Sequence, residues 1–290
     1  MEAEVRPLPK VEYMAPSSLK EACHLLKEYQ SKARLLAGGT DLIPKMKKRA
    51  ITAEIIIDLN RIPGLSGIEI RGDRLHIRGL TRLAEIKESP LVKEKAPALA
   101  QAIGLMASPP IRNRATIAGN LCTASPAADT APPLLVLDAL VKMESIRGER
   151  IVPLAEFFLG PEKTVKRPDE ILTEVIIPVQ EGNSAFMKLG RRKAFTLAVV
   201  SAAAFARTRK GKFEEVRVAL GAVAPIPMRG RKVEEALKGS EVNEQKIVQA
   251  AERVREEVSP ITDVRASAEY RKDMSYVLTK RILEQVGGRG

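Results

Sequence analysis

The sequence predicts an α+β fold: a mixed lobe first, then an antiparallel sheet with a helical cover. Three observations lead there. In the first sixty positions helix-spaced apolar residues alternate with short β-branched runs. From about residue 60 hairpin signals replace that alternation, and the last third reads as three strands followed by three helices.

Taken in order, Ser18 and Glu21 stand at capping-box spacing, and Leu19, Ala22, Cys23 and Leu26 then mark one buried helix face. A short strand over 33–37 leads to a turn at Gly38-Gly39. A short helix follows, with Thr40 or Asp41 as N-cap and Pro44 in its first turn. A second strand over 54–58 completes the pattern of a small parallel sheet. Residues 67–70 and 75–79 form a hairpin around Arg71-Gly72-Asp73; Thr81 caps one helix and residues 97–107 form another. Residues 108–129 have little periodicity. Beyond them come a hairpin across Arg147-Gly148 and a strand over 171–178. Three antiparallel strands over 185–189, 197–207 and 213–223 follow, the last two joined at Lys210-Gly211-Lys212. Helices over about 231–238, 243–258 and 266–286 finish the chain. Their stripes, Ile247, Val248, Ala251, Val254 and Val258, then Met274, Val277, Leu278 and Ile282, read as bundle core. The expected domains are 1–178, split into a small α/β lobe (1–59) and a larger α+β lobe (60–178), and a C-terminal domain over 179–290.

At 290 residues the chain has room for about two lobes. With 44% apolar and 29% charged residues it is an ordinary globular mixture, which excludes disorder as the main state. The longest apolar run, 194–206, is too short for a membrane span and holds Thr196 and Ser201. Met1-Glu2-Ala3-Glu4 lacks a signal-peptide layout. Two cysteines, Cys23 and Cys122, make neither a disulfide framework nor a protein-ligated iron–sulfur cluster, so the expected setting is a reducing cytoplasm. Lys plus Arg outnumber Asp plus Glu by 48 to 36, a net charge of +12. That suits an acidic protein or phosphorylated ligand, or simply a solvated surface. Aromatics at 3% and no Trp argue against base stacking, hence against nucleic acid.

Two stretches carry chemistry. Leu35-Leu36-Ala37-Gly38-Gly39-Thr40-Asp41-Leu42 runs strand, glycine turn, helix start. Glycines let bare backbone approach a ligand, and N–H groups at a helix start are unpaired, which together make an anion cradle. The same residues also make an ordinary turn. It is neither a P-loop nor a GxGxxG fingerprint. The second stretch, from Arg112 through Thr116-Ile117-Ala118-Gly119-Asn120 to Thr123 and Asp129, crowds small residues, hydroxyls and an amide into an irregular segment. Two glycine turns offering N–H and hydroxyl donors suit a ligand with two linked phosphates, with Asp129 at its ribose or adenine end. A buried Ser/Thr/Asn network holding a loop is the alternative. Of the two histidines, neither His24 nor His76 has a partner at metal-ligand spacing, and no nucleophile elbow is present. Lys45, Lys47, Lys48 and Arg49 form either a solvated face or a phosphate-steering or docking patch. Cys122 reads as a small core residue.

The pair AGGTDL and ATIAGN-x4-SPAAD-x-AP resembles the FAD-binding medium subunit of the molybdenum hydroxylases, the family of aerobic carbon-monoxide dehydrogenase and xanthine dehydrogenase. Phe186-Met187-Lys188-Leu189-Gly190-Arg191-Arg192 and Thr262-Asp263-Val264-Arg265-Ala266-Ser267-Ala268-Glu269-Tyr270-Arg271 extend the resemblance through the chain. It implies a vanillyl-alcohol-oxidase/PCMH-type FAD-binding fold, with FAD extended between the lobes and both loops on its pyrophosphate. The implied FAD contacts are Leu35, Leu36, Ala37, Gly38, Gly39, Thr40, Asp41, Leu42, Thr116, Ile117, Ala118, Gly119, Asn120, Thr123 and Asp129, with Leu172 and Lys188 nearer the isoalloxazine. The commoner family form is T-I-G-G-N; here Ala118 replaces the first glycine, leaving close approach to Gly119. The resemblance implies no catalytic residue or metal ligand in this chain. It implies a small subunit with two [2Fe–2S] clusters, a large molybdopterin subunit and an external electron acceptor, hence a hetero-oligomer. The alternative is a stand-alone flavin reductase or oxidase of the same fold. The SPAAD and DVRASAEYR segments resemble only the medium subunits.

Overall fold

In a computed structural model, residues 7–192 and 195–288 are described. Met1-Glu2-Ala3-Glu4 and Ala194, the first residue of the long apolar run, lie outside the described residues. The chain begins with β1 (Glu12–Met14), α1 (Leu19–Tyr29), β2 (Ala33–Leu36), α2 (Leu42–Lys47) and β3 (Ile55–Asp58). Their sheet runs β1-β3-β2 with both pairings parallel. Strand β1 has only three residues, too few to show alternation in sequence. Ser18 Oγ caps α1 through the Glu21 N–H, while the Glu21 carboxylate accepts from the Ser17 N–H at 2.8 Å.

The second lobe contains β4 (Ile68–Arg71), β5 (Arg74–Arg78), α3 (Leu83–Glu88), α4 (Pro90–Lys95), α5 (Pro97–Leu105), α6 (Pro109–Arg112), α7 (Ile117–Thr123) and α8 (Ala131–Val136). Then come β6 (Leu140–Ser145), β7 (Gly148–Pro153), β8 (Phe158–Gly160), β9 (Lys163–Thr164) and β10 (Ile171–Pro178). The main sheet is antiparallel, ordered β4-β5-β10-β6-β7. Period-two alternation sends Leu75, Ile77, Val141, Met143, Val175 and Ile177 into one core with Leu83, Leu99, Ile103, Ile117 and Leu121 from the helices. The opposite face carries a charged ladder, in which His76 Nδ1 lies 3.2 Å and Arg78 Nε 3.4 Å from the buried Glu174 carboxylate.

Two expectations change here. The stretch over 108–129 is not irregular, since it holds α6 and α7, capped by Ser108 and Thr116. Helices of four and seven residues are too short to display a repeat. Thr81 does not cap α3. Its hydroxyl is bonded to Gly67 N and O, both at 3.0 Å, and the N-cap position belongs to Arg82.

The last part forms an antiparallel sheet of β11 (Asn183–Gly190), β12 (Ala198–Arg209), β13 (Lys212–Gly221) and β14 (Met228–Arg229), in that order. The two-residue β14 adds a fourth strand to the three that patterning marks. Helices α9 (Arg231–Leu237), α10 (Glu244–Glu252) and α11 (Ala268–Val286) cover one face, and α10 passes into a 3-10 turn, Arg253–Glu256, instead of continuing to 258. The other face sends Phe186, Ala203, Phe205 and Ala219 into the core of the preceding lobe. Burial on both faces explains why β12 is a run of small apolar residues without alternation. No helix among the described residues is long and apolar enough to cross a membrane.

Candidate functional site

The double glycine between β2 and α2 has two separate causes. Gly39 has φ +74°, a conformation that side chains disfavour. Gly38 is needed for space: a Cβ there would lie 2.2 Å from Arg114 O and 2.9 Å from Ala115 Cα. The first loop is thus pressed directly onto the backbone that leads into α7. The N–H groups of Gly38, Gly39, Thr40, Asp41 and Leu42 meet no acceptor among the described residues. Asp41 occupies the N-cap position without capping. Its carboxylate instead accepts from Thr123 Oγ1 at 3.3 Å and pairs with Lys45 at 3.3 Å. Lys45 also reaches Glu162 at 2.7 Å, whereas Lys47, Lys48 and Arg49 are exposed. Five open donors in one turn are a donor set that can accept an anion.

The second segment differs from its expected form: it is a helix start, and its backbone donors are already used. Thr116 Oγ1 accepts from Gly119 N at 3.1 Å. Ile117 N donates to Thr81 O at 3.3 Å, Ala118 N to Gly79 O at 3.0 Å and Asn120 N to Thr116 O at 3.0 Å. Gly119 lies inside α7, and a Cβ there would stand 2.9 Å from the capping hydroxyl, so its constraint is the cap. Ile117 is fully buried in the core and offers a ligand no free polar group. Ala118 is 8% exposed and borders Gly79, where an added Cβ would lie 3.2 Å from the Ala118 methyl. The departure from T-I-G-G-N therefore falls on a core-facing position. What α7 presents is the Asn120 amide nitrogen, whose companion Oδ1 accepts from Thr130 Oγ1; the Thr123 hydroxyl is taken up by Gly119 O at 2.9 Å and Asp41.

Asp129 and Lys188, 59 positions apart, lie together. The Lys188 ammonium lies 2.6 Å from Asp129 Oδ2, and both side chains are buried. Two residues expected at different parts of the ligand, Asp129 at its ribose or adenine end and Lys188 nearer the isoalloxazine, thus form a single ion pair. Burial pushes the Asp129 carboxyl up to about 6, against the opposing pull of Lys188, which leaves it ionised at neutral pH. Asp129 Oδ1 is buried without a hydrogen-bond partner. The bond from Thr130 to Asn120 ties this pair to α7, and the bond from Thr123 to Asp41 ties α7 to the first loop. Leu172 stands outside this polar chain: its side chain is in the hydrophobic core and its carbonyl lies against Gly79. Leu35 packs on the core of the small lobe, and Leu36, Ala37, Thr40 and Leu42 are half-buried around the loop.

Two residues outside both motifs join the segments. Arg82 donates from one terminal nitrogen to Arg114 O and from the other to Asn60 Oδ1, each at 2.6 Å. Asn60 Nδ2 donates to Ala37 O at 2.9 Å. Asn60 follows the carboxyl end of β3, the edge of a parallel sheet where ligand loops gather, and that signal is readable in sequence. Arg82 has no such signal.

The sequence matches the family described as "FAD binding domain in molybdopterin dehydrogenase" over residues 9–180, and "CO dehydrogenase flavoprotein C-terminal domain" over residues 184–286. It is 32% identical to the nicotine 6-hydroxylase medium subunit of Paenarthrobacter nicotinovorans, covering 97% of this chain and 99% of that one. It is 34% identical to a putative xanthine dehydrogenase FAD-binding subunit of Escherichia coli K12, covering 94% of each. Among solved structures, a chain of carbon monoxide dehydrogenase from Hydrogenophaga pseudoflava superposes with a TM-score of 0.94. It has 34% identity, over 98% of this chain and 99% of that chain.

Proposed function

Because the chain belongs to the family of FAD-binding medium subunits of molybdenum hydroxylases, we propose that it is the electron-transferring subunit of a larger dehydrogenase. In this reading electrons arrive from the [2Fe–2S] clusters of a small partner subunit, and substrate is oxidised in a large molybdopterin subunit. They leave to an external acceptor. Bound FAD supplies a carrier that exchanges electrons singly or in pairs. The observation that carries the reading is the first loop: five open N–H groups beside the backbone that leads into α7, with the Asn120 amide nitrogen on that helix. That donor set fits a pyrophosphate. The buried Asp129–Lys188 pair stands at the far end of the same polar chain and leaves Asp129 Oδ1 without a partner, an acceptor for a ligand's donor. We place the FAD-binding domain at 1–178 and the C-terminal domain at 179–290. The assigned role needs no nucleophile or general acid from this chain.

The purified chain is expected to carry one FAD without a covalent link. His24 is exposed on α1, away from the loop motifs in sequence, and His76 is held in the charged ladder. Acid denaturation followed by centrifugation checks this: flavin should appear in the supernatant, and flavin retained in the pellet would contradict it.

A further inference from the structure

The first loop and the α7 segment meet at Gly38, a residue with no side chain to hold the contact. The carbonyls on either side of that contact are held from elsewhere. Ala37 O, immediately before Gly38, accepts from Asn60 Nδ2 at 2.9 Å. Arg114 O, the atom that a Gly38 side chain would strike, accepts from Arg82 at 2.6 Å. Arg82 also donates to Asn60 Oδ1 at 2.6 Å, so one line of hydrogen bonds runs Ala37–Asn60–Arg82–Arg114 around the contact. The line is anchored at both ends. Asn60 N donates to Asp58 Oδ1 at 2.9 Å, and Asp58 accepts from the Tyr13 hydroxyl on β1. Next to Arg82, Leu83 N donates to Ala115 O at 2.9 Å. Arg82 is half-buried and makes no ion pair among the described residues.

We propose that Arg82, acting through Asn60, is a positioning residue that sets the separation of the two loops and thereby the affinity of the site for FAD. The inference rests on the reading of these loops as the FAD site. Its physical basis is the guanidinium fork. The planar group presents several N–H donors at fixed angles, so it bonds two acceptors on different segments at once. A lysine ammonium keeps the charge and the stem but is a compact point charge that lacks that planar fork. The open N–H groups of the first loop face a ligand correctly only while Ala37 and Arg114 keep their spacing. Arg82 touches neither the loop's donors nor, in this account, the reacting atoms; it works through two carbonyls and an amide.

The test is FAD titration of the full chain, stripped of flavin and followed by quenching of flavin fluorescence, for the parent, Arg82→Lys, Arg82→Gln, Asn60→Ala and the Arg82→Gln/Asn60→Ala pair. Loss of a hydrogen bond from a charged donor should raise the FAD Kd of Arg82→Gln about ten-fold or more, with a similar or smaller rise for Asn60→Ala. The double variant should be no weaker than Arg82→Gln, because both changes open the same clamp. Arg82→Lys should stay several-fold weaker than the parent. Full FAD affinity in Arg82→Lys would overturn the proposal, since stem packing or charge would then suffice. So would losses that multiply in the double variant. Gly38→Ala separates this idea from the reading beneath it. If Gly38→Ala loses FAD while the Arg82 and Asn60 variants keep it, the clamp fails and the site stands. If all of them keep it, or if the parent binds no FAD, the site assignment fails as well.

Discussion

Gly38→Ala should empty the flavin site. The added methyl would stand 2.2 Å from Arg114 O, 2.8 Å from Arg114 C and 2.9 Å from Ala115 Cα, all backbone atoms. That backbone cannot step aside cheaply: Ala115 O accepts from Leu83 N at 2.9 Å and Arg114 O from Arg82 at 2.6 Å. The loops must part, which separates the five open N–H groups from Asn120 and Thr123. Overpacking of this kind costs about 1–3 kcal/mol of stability. The effect on the ligand should be larger, with flavin per chain falling to about a tenth or less, as two or more charge-assisted bonds to an anion are worth over 1.4 kcal/mol. Gly39→Ala is the informative comparison. Its positive φ costs about 1–2 kcal/mol, but its nearest contacts, Leu36 Cδ1 at 3.1 Å and Ile43 Cγ1 at 3.3 Å, are side-chain atoms that can shift. Gly72→Ala, also at positive φ but in open space, should cost similar stability and no flavin. Absorbance at the flavin band against protein concentration measures all three. Full flavin content in Gly38→Ala would show that the loop contact does not shape the site.

Lys188→Met should be the most destabilising single change at the site. It leaves Asp129 buried with its counter-charge gone, a loss of about 3–5 kcal/mol when the carboxylate stays ionised. The pH dependence distinguishes this from lost packing. In the parent, burial raises the Asp129 carboxyl to about 6, above its unfolded value. The folded chain thus binds this proton more tightly than the unfolded chain. The stabilising contribution is full below the unfolded value near 4 and is lost as pH rises through about 6. Without Lys188 the folded value rises further, and the loss continues into the alkaline range. Urea unfolding should therefore show a larger Lys188→Met deficit at pH 8 than at pH 5. Asp129→Asn in the same background should remove that difference, because an amide does not titrate. Equal deficits at both pH values would mean that Asp129 is not the group left stranded.

Most elements were legible because each carried a periodic or capping signal of its own. The stripe from Leu19 to Leu26, the strand over 171–178 and the turn at Lys210-Gly211 are local patterns. Strands of two or three residues, such as β1 and β14, are set by the partners they pair with. The first loop was legible as a glycine turn before a helix start, a local pattern that an ordinary turn shares. The roles within the second segment were not. Whether the N–H groups of Ile117 and Ala118 are free depends on Thr81 and Gly79, about 40 positions earlier in the chain. The Asp129–Lys188 pair spans 59 positions and Arg82–Arg114 spans 32, so only the fold brings them together. Thr81 shows the opposite failure. It stands where a cap would, yet a hydroxyl that reaches the Gly67 backbone twice satisfies itself there.

The central claim, that this chain relays electrons and does not itself activate a substrate, is tested most directly by stopped-flow absorbance of its flavin. The isolated chain should be bleached by dithionite. It should not be bleached by carbon monoxide, aldehydes, purines or aromatic acids, because the proposed function assigns their activation to the molybdopterin subunit. After addition of a [2Fe–2S] subunit and a molybdopterin subunit that complete the complex, the matching substrate should bleach it. Bleaching of the isolated chain by one of those substrates at a catalytically useful rate would contradict the account and make the chain a complete flavoenzyme.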